Sequence, residues 1–363
     1  MEDRWYLAAL LQCRQMGSVR MRRLCATVSD MRTIWSMNVG DLRETGALTE
    51  ALAEALARHS AMHPELPAQI REDCTRLNMG LITIDDADYP VVLREIFDPP
   101  LVLYYRGTLV PDARRISMVG ARKFTAYGEA AAMEFAERLA AAGVTVVSGA
   151  ARGIDTRAHR GALRGGRTVA VLGCGVDIAY PSENHRLLAQ IVEMGGAVIS
   201  EYAPGTQPLP VFFPARNRII SGLSEGTLVI EAAQRSGSLI TAEMALSEGR
   251  DVYAVPGSIY SPQSGGCHNL IRAGARLVES PQEILEEMRL VEPPRRSARE
   301  QLTPEEARIY QVLSFDYALS MDEILDSMPE HDGANIPLRL LQMQLKGIIT
   351  ENEMHAYRRA ERN

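Results

Sequence analysis

The chain has 363 residues, more than one hydrophobic core usually serves, so a large domain of roughly 200 residues with smaller terminal modules is expected. Its 46% hydrophobic and 23% charged content is ordinary for a globular protein, and no apolar run approaches the ~20 residues that cross a bilayer, so no membrane partner is expected. The net charge of -7 argues against a uniformly basic surface, and the five scattered cysteines argue against a disulfide framework or zinc site and for a reducing cytoplasm.

The N-terminal MEDRWYLAAL carries acids and no signal-peptide pattern. Residues 1–72 read as a helical domain, with WYLAALLQC, SVRMRRLCATV and LTEALAEALARH spacing their apolar residues by three and four, and with Thr49 as a candidate N-cap of the third helix. From Leu81 the texture changes to strands, LITIDDADYP and then DPPLVLYYRG after a Pro-Pro stop. Strand 116–120 then precedes helix 126–143, strand 144–149 a helix around 156–163, and strand 168–173 helix 183–195. Strand 197–202, strand 227–232 with helix 238–249, and strand 251–257 with a helix near 269–273 complete the series. Apolar strands of four to six residues alternating with amphipathic helices predict an α/β fold over 73–288, a Rossmann-like doubly wound parallel sheet covered on both faces. A charged, proline-containing linker over 289–300 leads to residues 301–363, where three helices and a short extended piece suggest a winged-helix-like domain.

Net charge is an average, and the distribution is uneven. From Asp112 to Arg167 the basic residues are Arg114, Arg115, Arg122, Lys123, Arg138, Arg152, Arg157, Arg160, Arg164 and Arg167, against Asp112, Glu129, Glu134, Glu137 and Asp155. Arginine pairs with phosphate through two parallel hydrogen bonds and stacks on flat groups. Small residues and donors gather where the strands end: Gly120-Ala121-Arg122-Lys123, then Ser148 to Asp155 with Gly149 and Arg152, then Gly173 to Pro181 with Tyr180. Phe212 to Arg218 is read as a loop before the fifth strand, and Arg235-Ser236-Gly237-Ser238 follows that strand. Ligands of doubly wound sheets bind outside the carboxyl ends of the strands, where glycines admit a phosphate to the backbone N–H groups. Convergence of these loops therefore predicts an anion site. Tyr180, Phe212 and Phe213 offer rings for base stacking, with packing under the loops as the other role for the two phenylalanines.

Signals for catalysis are missing. There is no GxGxxG, GxxxxGK[ST], HExxH or CxxC, so no catalytic residue, cofactor or metal ligand is expected. Cys267 and His268 are adjacent, and neighbouring side chains point apart. Asp155, Ser236 and Ser238 are expected as helix N-caps.

The ordered segments Val119-Gly120-Ala121-Arg122, Ser148 to Asp155, Gly173 to Pro181, Ser200-Glu201, Phe213 to Leu223, Glu231-Ala232, Ser236 to Ala242, Pro256-Gly257 and Gly266 to Ile271 closely resemble the bacterial DNA-processing protein A family (DprA, also called Smf) from about Leu81 to Glu283. The resemblance implies an extended Rossmann fold that binds single-stranded DNA without strong sequence preference. It also implies a homodimer that shields incoming strands and loads the RecA recombinase onto them during natural transformation. Carried over by position, Arg122 is the leading DNA contact, joined by Arg216, Asn217 and Arg218; Gly120, Ala121, Lys123, Ser148, Gly149, Arg152, Tyr180, Asn184, Ser236, Gly237 and Ser238 complete the candidate set. The dimer and recombinase surfaces fall on Leu246, Ile271 and Leu277. The N-terminal helices resemble the SAM-like domain of some members, although Met16 to Arg20 lacks a Gly-Ile-Gly hairpin. The tail resembles the winged helix of longer members and is acidic towards Glu323–Asp332, which favours protein contact over duplex binding. A competing expectation is a nucleotide phosphoribohydrolase. Those enzymes carry Pro-Gly-Gly-x-Gly-Thr before a glutamate, whereas this chain reads Ser224-Glu225-Gly226-Thr227 with Glu231 following.

Overall fold

The computed structural model describes residues 2–291, 302–314, 317–328, 335–345, 348–352 and 355–360. The chain divides into two compact units, 1–292 and 293–363.

Six helices open the first unit: Asp3–Leu10 (α1), Ser18–Cys25 (α2), Met31–Ser36 (α3), Val39–Glu44 (α4), Glu50–Met62 (α5) and Leu66–Arg76 (α6). Asp30 caps α3 by accepting from the Thr33 N–H, and Asn38 with Asp41 forms a capping box on α4. Thr49 stands at the N-cap of α5 in extended backbone, but its hydroxyl makes no capping hydrogen bond. The apolar faces of these helices pack onto the sheet: Leu7, Leu10, Leu24 and Ile70 share one core with Leu81, Tyr104, Leu172 and Val198.

The sheet unit follows in the order Gly80–Thr83 (β1), Val91–Arg94 (α7), Val102–Gly107 (β2), Arg115–Val119 (β3), Ala126–Ala141 (α8), Thr145–Ser148 (β4), Ile154–Gly165 (α9), Thr168–Val171 (β5), His185–Glu193 (α10) and Ala197–Ser200 (β6). Phe212–Gly222 (α11), Gly226–Val229 (β7), Ser238–Ser247 (α12), Asp251–Ala254 (β8), Gly265–Arg272 (α13), Arg276–Leu277 (β9) and Pro281–Glu287 (α14) complete it. The nine strands lie in the order β1-β2-β6-β5-β4-β3-β7-β8-β9. β1 and β2 run antiparallel at one edge, and the seven strands from β6 to β9 are parallel. Alternate residues of a strand face opposite ways. Ile116 and Met118 of β3 therefore join the core under α8, α9 and α14, while Val119 joins the core under α11, α12 and α13. The winding reverses at β3, since β4, β5 and β6 are laid down on one side of it and β7, β8 and β9 on the other. The crevice beyond the carboxyl ends of β3 and β7 is thus the topological switch point.

Several local expectations are corrected. Phe212 to Arg218 is not a loop but the first part of α11, whose buried residues are Arg216, Ile219, Ile220, Ser221 and Gly222. Pro214 misled the reading, yet a proline in the first turn removes no helical hydrogen bond. The helix expected from 183 begins as a 3-10 turn, Ser182–Asn184, before α10. α13 starts at Gly265, four residues early, because Gly266 and Cys267 pack tightly against the Ala232 backbone and the core.

The second unit contains Pro304–Val312 (α15), Met321–Asp326 (α16), Ile336–Leu345 (α17) and the antiparallel pair Ile349–Glu351 (β10) and Tyr357–Arg359 (β11). Thr303 with Glu306, and Ser320 with Glu323, form capping boxes on its first two helices. Ile309, Tyr310, Ile324, Leu340, Met343 and Ile349 make its core. Three helices and a two-stranded ribbon are the order expected of a winged helix. Most of the expected linker, 292–300, lies outside the described residues, as does 331–334 of the loop before α17.

Candidate nucleic-acid interface

A cleft of about 650 Å³ opens at the switch point. Gly120, Ala121, Arg122 and Lys123 line it from the end of β3, Ala151 and Asp155 from the β4 crossover, and Tyr180 from the β5 crossover. Phe213, Arg216 and Asn217 come from α11, and Ser236, Gly237 and Ser238 from the start of α12. Backbone hydrogen bonds staple these loops together: the Ala121 N–H donates to the Glu231 carbonyl at 2.7 Å, Ile154 N–H to the Ala121 carbonyl at 3.1 Å, and Ala232 N–H to the Gln263 carbonyl at 2.7 Å. Gly153 enables the second staple. Its φ of +94° is a conformation that side chains avoid, and a Cβ there would sit 2.3 Å from the Ala121 oxygen.

The lip of the cleft is cationic. Arg122 and Lys123 are exposed and have no acidic partner among the described residues. They ride on a stiff loop, because Thr125 caps α8 and the buried Glu231 carboxylate accepts from the Thr125 N–H at 2.9 Å and hydroxyl at 2.5 Å. Tyr180, 46% exposed, lies against Phe213 with ring centres 5.3 Å apart, so one aromatic face borders the cleft. Phe212 stacks on Tyr202 instead, at 4.2 Å. The Ser236 and Ser238 hydroxyls lie 2.7 Å apart; the N-cap residue of α12 is Gly237, and the Ser236 hydroxyl accepts from the first helical N–H, that of Ser238, at 3.4 Å. With Gly237 they leave the positive end of the α12 dipole facing the cleft. Thr241, one turn after Ser238, and Gln263 also line the cleft. The three-residue spacing from Ser238 was a signal for Thr241.

Behind the lip lies a wall of similar residue types with their polar groups already matched. Arg216 is 4% exposed; its Nη1 donates to the Gly149 carbonyl at 2.7 Å and to the Val171 carbonyl. The guanidinium fills the space a Cβ on Gly149 would need, 2.6 Å away. Asp155 accepts from the N–H groups of Gly149 and Ala151 rather than capping α9, whose N-cap residue is Gly153. Burial raises the Asp155 carboxyl and lowers the Arg216 guanidinium, and in each case the partner's charge works against it. The Ser148 hydroxyl donates to the Met118 carbonyl at 2.6 Å, and Asn184 donates to the Ala150 carbonyl and the Thr156 hydroxyl, both at 2.9 Å.

The candidate residues therefore separate. Gly120, Ala121, Arg122, Lys123, Tyr180, Asn217, Ser236, Gly237 and Ser238 come together on the cleft surface. Ser148, Gly149 and Asn184 stand behind it, because their polar groups are buried in backbone contacts. Arg218 also turns away, its Nη2 meeting Glu201 at 2.7 Å and its Nε meeting Asp98 at 3.4 Å. Burial opposes that charge, but the Glu201 hydrogen bonds and the two carboxylates outweigh it and raise the pKa. Arg152 lies outside the cleft lining and pairs with Glu183, whose carboxyl it draws down to about 2. Leu246 in the last turn of α12 and Leu277 on the edge strand β9 are 49% and 41% exposed, while Ile271 is half-buried against the core. None of the three lines the cleft. Cys267 is buried with its thiol pushed up to about 12, and His268 is bonded to the Gly257 carbonyl, so the adjacent pair does not form a nucleophile and base. No His, Cys, Asp or Glu cluster among the described residues is arranged to hold a metal ion.

Residues 80–289 match the family described as DNA recombination-mediator protein A. The chain is 48% identical over 206 residues to DNA processing protein DprA of Streptococcus pneumoniae, covering 56% of this chain and 72% of that one. The X-ray structure of the Streptococcus pneumoniae protein superposes with a TM-score of 0.67 at 36% identity, covering 78% of this chain and 97% of its own. DNA processing protein A of Helicobacter pylori, solved for its single-stranded DNA binding mode, superposes with a TM-score of 0.53 at 27% identity over 58% of this chain and 95% of its own.

Proposed function

Because the chain belongs to the DNA recombination-mediator protein A family, we propose that its switch-point cleft binds single-stranded DNA, with Arg122 and Lys123 as the leading phosphate contacts. The observation that carries this reading is the contrast in charge. Arg152 and Arg218 are paired with carboxylates and Arg216 is buried on backbone carbonyls, whereas Arg122 and Lys123 face solvent at the lip of a cleft. Tyr180 and Phe213 add a face on which a base stacks without regard to its identity, and the N–H groups beginning α12 complete the anion site. The chain acts by binding and not by turnover. Its five free cysteines suit the cytoplasm.

Its role in natural transformation is to cover incoming single strands and pass them to RecA as a homodimer. The exposed Leu246 of α12 and Leu277 of the edge strand β9 supply the contact surface for the second copy or the recombinase. The three regions keep separate tasks, with residues 1–72 bracing the sheet, 73–288 holding the strand and 301–363 meeting a protein partner.

Titrating labelled oligo-dT and an equivalent duplex across a salt series tests the central claim. Preference for the single strand is expected, with affinity falling steeply as salt rises because neutralised phosphates release counterions. Equal affinity for duplex and single strand overturns it.

A further inference from the structure

A second groove, of about 630 Å³, lies on the flank formed by α9 and α10. Arg157, Arg160 and Arg164 fall at three- and four-residue spacing on one face of α9, and Arg186 enters from the first turn of α10. Arg157 is paired with Glu129 at 2.8 Å, and Arg164 reaches Glu137 only at 3.7 Å. Arg160 and Arg186 are exposed and have no acidic partner among the described residues. Four guanidiniums against Glu129 and Glu183 make this wall net positive in a chain of net charge -7. Like charges gathered this way repel one another, and a bound polyanion relieves that repulsion.

The groove adjoins the cleft. Ala151 lines the cleft and the next residue, Arg152, pairs with Glu183 of the groove lining; Tyr180 of the cleft lining lies three residues before Glu183. Both members of the Arg152–Glu183 pair are exposed. The groove has no aromatic lining, only Met133 and Leu187 as apolar surface, so it suits phosphates and not bases.

We propose that the α9/α10 groove carries the sugar–phosphate backbone of the same single strand after it leaves the cleft past Arg152. This rests on the single-strand reading of the cleft and sets its footprint: bases are gripped at Tyr180, and the neighbouring nucleotides are held by charge alone.

The test uses the full chain with Arg160→Gln/Arg186→Gln and Arg160→Glu/Arg186→Glu double variants, both sites being exposed. Affinity is measured for oligo-dT from about 4 to about 16 nucleotides, the range of known single-strand site sizes. The shortest oligonucleotides should bind both variants as they bind wild type. Affinity should then stop rising with length, more sharply for the charge-reversed variant. For long oligonucleotides the slope of log affinity against log salt should fall by roughly 0.7 for each phosphate left unneutralised. Wild-type slopes and affinities at every length overturn the groove while leaving the cleft intact. A changed oligomeric state with unaltered DNA binding also overturns it, by assigning the face to another protein surface. Wild-type protein that binds no oligonucleotide overturns the cleft and the groove together.

Discussion

The lip of the cleft and the wall behind it are built from the same kinds of residue, arginine, serine and glycine at strand ends, yet they do opposite things. At the lip, Arg122 and Lys123 present their charge to solvent, and the Ser236 and Ser238 hydroxyls bond only each other and the local backbone. In the wall, Arg216 is consumed by the Gly149 and Val171 carbonyls and faces Asp155, and Ser148 by Met118. The difference teaches that a buried arginine here is a strut. It fixes the β4 crossover so that the exposed arginine of the β3 crossover stands still. Its rigidity limits the entropy lost when a strand binds.

Arg216→Ala is the hardest test of that division. It leaves the buried Gly149 and Val171 carbonyls without their donor, removes the charge that draws the Asp155 carboxyl down and empties the space over Gly149, and each buried polar group left unpaired costs about 1–3 kcal/mol. A large fall in the urea midpoint is expected, and Arg216→Lys should not restore it, because an ammonium lacks the planar fork. A normal midpoint with lost DNA binding would move Arg216 to the lip.

His159, deeper in the wall, sets a pH limit on it. Its Nδ1 lies 2.7 Å from the Thr168 hydroxyl, and burial, with a smaller contribution from Arg216, lowers its pKa from 6.5 to about 3. The unfolded chain takes up a proton near pH 6.5 and the folded chain does not until about pH 3. Stability is therefore present above about 6.5 and lost as pH falls through that window, by up to about 1.4 kcal/mol per pH unit. Chemical denaturation at pH 6 and pH 4 should show that loss in wild type, and His159→Gln should lose less over the same interval. Parallel pH curves for the two proteins would mean the imidazole charges in the folded state.

At the lip the readouts exchange places. Arg122→Ala should weaken single-strand binding about tenfold at low salt, roughly 1.4 kcal/mol, and flatten the salt dependence by about 0.7 for each phosphate that the side chain no longer neutralises. Its urea midpoint should stay within about 0.5 kcal/mol of wild type. Intact binding in this variant would dissolve the contrast between lip and wall from the other side.

How much of this was legible in the sequence depended on which physical signal was involved. Strands β3 to β8 show plainly as short apolar runs, buried on both faces, that alternate with longer helical segments such as α8. The convergence of the loops was also readable, since a doubly wound order sends every crossover to the same sheet edge. α11 was hidden by Pro214, and with it the direction of its arginines. In a loop Arg216 and Arg218 would both be free, but two residues apart on a helix they project to nearly opposite sides and into different partners. Nothing local distinguished Arg122 from Arg216, because burial is decided by residues distant in sequence, Gly149 and Val171 for one and none for the other. The serines misled for a related reason: a serine before a helix is usually a cap, but at α12 Gly237 takes the capping position.

The smallest effect tests the boundary most finely. Ser148→Ala removes one buried hydrogen bond between the end of β4 and the Met118 carbonyl of β3. The alanine leaves no unpaired donor behind, so the cost should be about 1 kcal/mol, and single-strand affinity should not change. Ser236→Ala should show the reverse pattern, with no measurable change in stability and a slight loss of affinity, because its hydroxyl borders the cleft and bonds only to Ser238. If Ser148→Ala weakened DNA binding while keeping its stability, that hydroxyl would have to reach the strand. The wall would then begin one layer deeper, at Arg216 itself.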